Sequence, residues 1–210
     1  MAVFAVVPAA GLSRRMGQPK LTMTLAGRPV IEHLLAALDQ PGIDAIVVVF
    51  RKGDDALSVA IKNCPKLQHA ELVVVQPEAD PPDMRTSVEI GLAAINERFS
   101  AGDESAWLLI PADHPVLDGD VVRDLLMAKA QSDADVLVPT HAGERGHPTL
   151  FRWPLADRVS QIPADCGLNW LVRHESVSVD EVEVGTDSVL LDLDTPEDFQ
   201  KLEQRRIEPC

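Results

Sequence analysis

At 210 residues the chain is long enough for one sizeable hydrophobic core and short for two, so a single domain over residues 1–210 is expected. Its 33 acidic against 19 basic residues give a formal net charge of -14, which opposes non-specific attachment to nucleic acid or anionic lipid and requires any functional cations to be gathered locally. No apolar run approaches the ~20 residues of a membrane span, no secretory pattern opens the chain, and three cysteines without paired or metal-site spacing argue against disulfides, so a cytoplasmic protein with reduced thiols is expected.

Residues 3–7 form the first apolar run and read as a buried strand. The run leads into AAGLSRRMGQPK, residues 9–20, where Gly11 and Gly17 let backbone amides approach a ligand and Arg14, Arg15 and Lys20 supply positive charge. That combination suits a polyanion, and a nucleoside triphosphate is the first ligand to consider. The glycines are too far apart for a dinucleotide fingerprint, and Gln18 stands where a Walker loop carries lysine, so the loop belongs to another nucleotide-binding design. The bland alternative is a turn rich in solvated basic residues.

Further apolar runs at 45–50, 71–75, 107–110 and 135–138 alternate with segments of helical spacing at 30–38, 57–62, 87–99 and 121–130. This order predicts an α/β fold with a mainly parallel sheet covered on both faces. In such a sheet ligands collect beyond the carboxyl ends of the strands, which places the 9–20 loop and Asp113, just past residue 110, on one rim. Residues 141–184 are less regular and read as substrate-specific structure, with a short helix at 168–174 and a strand at 177–184. The chain returns through an extended segment at 189–193 and closes with a helix from Pro196 to about Arg205, for which Thr195 is the N-cap.

VVPAAGLSRRMGQPK resembles the loop of the MobA-like nucleotidyltransferase superfamily, and PADHP (111–115), GHPTLF (146–151) and DLDTPEDF (192–199) are similar to later motifs of its molybdenum cofactor cytidylyltransferase branch. The resemblance covers most of the chain. It implies a Rossmann-like three-layer sandwich of the nucleotide-diphospho-sugar transferase type, with nucleotide binding in about 1–115 and acceptor binding in about 116–210.

Arg15 and Lys20 are the best candidates to compensate triphosphate charge and stabilise a departing pyrophosphate, and the resemblance selects the same two residues. Asp113, held between two prolines at a strand end, suits Mg2+, although an aspartate there can also cap a helix, a job for which Asp118 is better placed. Asp192 and Asp194 alternate along an extended segment and so share a face. The resemblance makes Asp194 the second metal ligand, while Glu197 and Asp198 are explained by the helix N-terminus. Ala9, Ala10 and Gly11 are small enough for a base and ribose to lie on the backbone, and the AAG form is similar to cytidylyltransferases. The resemblance adds Ser87 to the nucleotide site, with helix capping by Thr86 and Ser87 as the alternative; Arg85 gives this tract a likeness to methylerythritol cytidylyltransferases. His147, by resemblance, faces the acceptor, and His114 either lines the same pocket or is a satisfied loop histidine. Cys166 reads as a small packing residue.

These residues imply transfer of CMP from CTP to a phosphorylated small acceptor, with Mg2+ as cofactor and molybdopterin-bound molybdenum as the acceptor closest to the resemblance. A molybdoenzyme or its maturation factor is the implied protein partner, and neither nucleic acid nor membrane is expected. The rival reading is a non-catalytic maturation factor that carries a nucleotide-like cofactor; a guanylyl or cytidylyl transferase for another phosphorylated metabolite is a further alternative.

Overall fold

The computed structural model describes residues 1–205, so Cys210 lies outside the described residues, while Cys64 and Cys166 are free thiols. Strand β1 (Val3–Pro8) is buried along its whole length. A small antiparallel pair, β2 (Thr24–Leu25) and β3 (Arg28–Pro29), precedes helix α1 (Val30–Leu38), and then β4 (Ala45–Val49), α2 (Asp55–Asn63), β5 (Glu71–Val75) and α3 (Met84–Phe99) follow. The second half contains β6 (Ala106–Leu109), α4 (Gly119–Lys129), β7 (Val136–His141), β8 (Glu144–Arg145) and β9 (Thr149–Arg152). Short helices α5 (Ala156–Val159) and α6 (Asn169–Arg173), strand β10 (Val179–Glu183) and helix α7 (Pro196–Gln204) complete the chain.

The main sheet runs in the order β10-β7-β9-β6-β1-β4-β5, with β8 paired to β7. Strand β1 pairs in parallel with both β4 and β6, whereas β9 is antiparallel to β6 and β7. Side-chain alternation along β1 divides the core into two layers. Val3, Ala5 and Val7 pack with Leu34, Leu57, Leu125 and Leu202 of α1, α2, α4 and α7; Phe4 and Val6 pack with Val88 and Leu92 of α3 and Leu171 of α6. The expected three-layer α/β fold with a mainly parallel sheet is therefore present. Among the described residues, no helix is long and apolar enough to cross a membrane.

Two local readings need correction. The segment at 189–193 begins as a 3-10 turn, Asp187–Leu190, and continues extended without joining the sheet. Thr186 caps this turn by accepting from the Ser188 amide at 3.2 Å, and the GHP side holds it in place: His147 N donates to the Val189 carbonyl at 2.9 Å, and Gly146 packs against the same peptide. Helix α3 starts three residues earlier than the apolar spacing predicts, because Asp83 accepts from the Thr86 amide at 2.7 Å and caps it. Asp118 caps α4 and Thr195 forms a reciprocal capping box with Asp198 on α7, as the sequence suggested.

Candidate active site

The loop after β1 is anchored at both ends of its first turn. Ala9 N donates to Val49 O at 2.8 Å on one side of β1, and Ala112 N donates to Pro8 O at 3.3 Å on the other. Met16 is buried beneath the loop, Gly17 adopts a left-handed φ of 71°, and Ser13 O accepts from the amides of both residues. Ser13 Oγ then accepts from the Lys20 amide at 3.2 Å, fixing the end of the loop from which the lysine side chain projects.

Four of the residues proposed from the sequence meet directly. Lys20 Nζ donates to Asp113 Oδ2 at 2.6 Å and to Asp194 Oδ1 at 2.8 Å, while Arg15 Nη1 donates to Asp194 Oδ2 at 2.7 Å. The Lys20 side chain is only 12% exposed, whereas that of Arg15 is 77% exposed. Burial by itself would push the Lys20 ammonium down, but the charge of Asp113 and the bonds to Asp113 and Asp194 outweigh it and hold the group above its ordinary value. The Lys20 hydrogen bond, aided by Arg15, holds the Asp194 carboxyl below the usual carboxylate range against its own desolvation. Asp192 behaves oppositely, pushed up by burial and by the charges of Asp194 and Asp113. The backbone closes this cluster, since Leu193 N donates to Asp113 O at 2.8 Å.

Asp113 and Asp194 thus direct carboxylate oxygens at one cationic point, held here by the Lys20 ammonium. Two carboxylates that leave further positions open to substrate phosphates are a donor set suited to a hard divalent cation. Among the described residues, no group of three or more His, Cys, Asp or Glu side chains is arranged to hold a metal without such help.

Beside this cluster opens a cleft of about 670 Å³, lined by Ala9, Ala10, Gly11, Lys20, Asp113 and Asp194 and also by Asp83 and Ser87 at the start of α3. Ser87 is buried and its Oγ donates to Asp83 O at 3.2 Å, so capping falls to Asp83 and not to Ser87. Arg14 is exposed on the same wall.

His114 and His147 lie together with ring centroids 5.2 Å apart and do not form part of the cleft wall. His114 is 5% exposed, and the Nδ1 atoms of both rings are buried without a hydrogen-bond partner among the described residues. Desolvation pushes His147 down to about 4 and also lowers His114, so both are neutral at pH 7. Gly146 packs against the Val189 peptide and His147 N donates to the Val189 carbonyl, so the GHP motif seats the start of the segment that leads to Asp192 and Asp194.

Sequence reasoning missed Arg51, which follows β4 and lines the cleft. The available signal was a cation just beyond the carboxyl end of an apolar strand, the same position that singled out Asp113 beyond β6. It also missed Asp83 as the cap that aligns the α3 N-terminus with the cleft.

An α/β fold with a glycine-containing cationic loop and two carboxylates at one sheet rim defines a nucleotide-binding protein of the nucleotidyltransferase type. The chain belongs to the MobA-like NTP transferase domain family, whose model matches residues 5–179. It is 30% identical over 211 residues to a molybdenum cofactor guanylyltransferase from Rhizobium meliloti, covering 95% of this chain and 89% of that protein. It is also 30% identical over 176 residues to 2-C-methyl-D-erythritol 4-phosphate cytidylyltransferase from Nitrosospira multiformis, covering 71% and 69%. The matching region is 31% of the bifunctional protein GlmU from Bordetella parapertussis, at 29% identity over 149 residues and 70% of this chain, so the chain spans about a third of that relative's length. The fold matches the crystal structure of Rv0371c from Mycobacterium tuberculosis H37Rv with a TM-score of 0.74 and 24% identity, covering 97% of this chain and 98% of that one. Another structure of that protein is a manganese complex, with a TM-score of 0.69, 24% identity, and coverage of 95% and 97%.

Proposed function

We propose that this protein transfers CMP from CTP to a phosphorylated small molecule, with molybdopterin cofactor the favoured acceptor, and releases pyrophosphate. The observation that carries the proposal is the meeting of Arg15, Lys20, Asp113 and Asp194 in a cleft that Ser87 also lines. In the reaction an acceptor phosphate oxygen attacks the α-phosphorus in line, the bond to the β-phosphate breaks, and pyrophosphate leaves with the electron pair. A phosphate nucleophile is already ionised near neutral pH, so the chain need not supply a general base. Its work is positioning and charge compensation.

Ala9, Ala10 and Gly11 would leave room for base and ribose against the backbone, Ser87 would fix the base, and Lys20 and Arg15 would hold phosphate oxygens. Asp113 and Asp194 would hold Mg2+, which when bound neutralises and orients the phosphates. The manganese complex of Rv0371c supports a divalent ion in this fold. Residues 1–115 contribute most of the nucleotide wall, and we assign the acceptor to the part built from 116–210, with His114 and His147 beneath it. A cytosolic location and a molybdoenzyme or maturation factor as protein partner accompany this reading.

CTP is favoured by the AAG form of the loop and by the cytidylyltransferase relative; GTP is the second reading, favoured by the guanylyltransferase relative that covers more of the chain. A pyrophosphate-release assay of the four nucleoside triphosphates against molybdenum cofactor and a panel of phosphorylated metabolites decides between them. Release with CTP is the expected result. Release only with GTP overturns the cytidylyl assignment, and tight nucleotide binding without turnover on any acceptor favours a cofactor carrier.

A further inference from the structure

We propose that Arg51 is a second polyphosphate-binding cation of the cleft, acting with Lys20 from the opposite side of the loop after β1. This inference rests on the nucleotide-binding reading above. Strands β4 and β6 flank β1, and Ala9 N is bonded to the last residue of β4. Arg51 therefore stands beside the start of the loop along one edge of β1, as Asp113 does along the other. It lines the main cleft and also a smaller cavity of about 200 Å³ behind residues 11–13. Of the basic side chains in those two walls, only Lys20 and Arg51 belong to both. A polyphosphate lying on the loop would run between them.

The state of each cation distinguishes their roles. Lys20 already bonds two carboxylates, and Arg15 bonds Asp194. Among the described residues the Arg51 side chain pairs only with Asp54, at 3.7 Å, which is longer than a hydrogen bond, and the Asp54 carboxylate also caps α2 through the Leu57 amide at 3.1 Å. The Arg51 Nε is buried and has no hydrogen-bond partner among the described residues. The side chain is still 28% exposed, so its guanidinium is not wholly enclosed, and it offers only donors, in a fork matched to phosphate oxygens. Charge gives the same answer: four basic side chains in the cleft wall face four aspartates, so loss of Arg51 would leave a net negative wall against an anionic ligand.

The test is calorimetric binding of CTP, GTP, CMP and inorganic pyrophosphate, each with Mg2+, to wild type, Arg51→Gln, Arg51→Lys and the surface control Lys62→Gln. Arg51→Gln is expected to weaken the preferred triphosphate and pyrophosphate by about tenfold or more, the value of a charge-assisted hydrogen bond, and CMP by less than about twofold. Arg51→Lys should recover part of the loss, and Lys62→Gln should bind as wild type. If Arg51→Gln does not fold, a loss of about threefold or more for pyrophosphate in folded Arg51→Lys carries the proposal, because lysine keeps the charge but lacks the fork. Unchanged pyrophosphate binding in the folded variants overturns the assignment, as does an equal loss for CMP and CTP, which would put Arg51 on the nucleoside. Failure of wild type to bind any triphosphate or pyrophosphate overturns the nucleotide site itself, a distinct outcome.

Discussion

Gly146 lies against the Val189 peptide so closely that a Cβ built on it would come within 2.7 Å of the Val189 carbonyl carbon and nearer still to its oxygen. Because Val189 begins the segment that presents Asp194, this contact couples the GHP motif to the carboxylate cluster. Gly146→Ala is expected to displace residues 189–194, reduce turnover by about tenfold or more, and destabilise the fold by about 1–3 kcal/mol as an overpacking change. A crystal structure of the variant and its denaturant midpoint check both parts; wild-type activity with an unmoved Asp194 would contradict the coupling.

Asp113→Asn and Asp194→Asn should each remove most activity, since an amide offers a neutral donor where the proposed metal site needs charge. The double variant should be little worse in turnover than either single one, as for groups that serve one function. Asp192 does not bond Lys20, and Asp192→Asn should be milder. Steady-state kinetics of the four variants test this, and an inactive Asp192→Asn beside an active Asp194→Asn would move the ligand by two residues.

Lys20→Ala should lower triphosphate affinity and also leave Asp113 and Asp194 facing each other without their shared cation. The variant is expected to lose about 1–3 kcal/mol of stability, the cost of unpairing partly buried charged groups. Added Mg2+ or Mn2+ should raise its melting temperature more than that of wild type, because a divalent ion can take the position of the ammonium. Equal metal-induced shifts in both proteins, read by thermal unfolding, would show that the two carboxylates do not hold the ion.

The histidine pair predicts an acid sensitivity. His147 is held at about 4 in the fold against an ordinary value of 6.5, so the fold favours its neutral form. That contribution is fully present above the unfolded value and is lost as pH falls from about 6.5 to about 4, where both states take up the proton. At about 1.4 kcal/mol per unit, the loss from His147 is on the order of 3 kcal/mol. Asp194, whose carboxyl is lowered, adds a further loss as the pH drops below the ordinary carboxylate range. Urea denaturation between pH 7 and 4 should show wild type losing more stability than His147→Asn; parallel curves would remove His147 as the cause.

Sequence by itself determined the architecture and the identity of the main candidate residues. Continuous apolar runs at β1, β4 and β6 made buried parallel strands, because only a sheet covered on both faces buries every residue of such a run. The rule that ligands gather beyond strand carboxyl ends then brought the 9–20 loop and Asp113 to one rim. Capping was legible at Asp118 and Thr195, where the cap and its partner are within three residues.

Tertiary structure decided whatever depended on contacts between distant segments. The Arg15 to Asp194 pair spans 179 positions, and no periodicity indicates that Lys20 will bridge two carboxylates. The burial of His114 and His147 depends on β9 entering antiparallel between β6 and β7. The turn at 187–190 stands where a regular segment was expected, capped by Thr186 and held against Gly146 at Val189, a contact between segments some forty residues apart. Arg51 escaped notice for the same reason: a lone arginine after a strand gains meaning only when its neighbours, its unpartnered Nε and the cavities on either side of the loop are seen together.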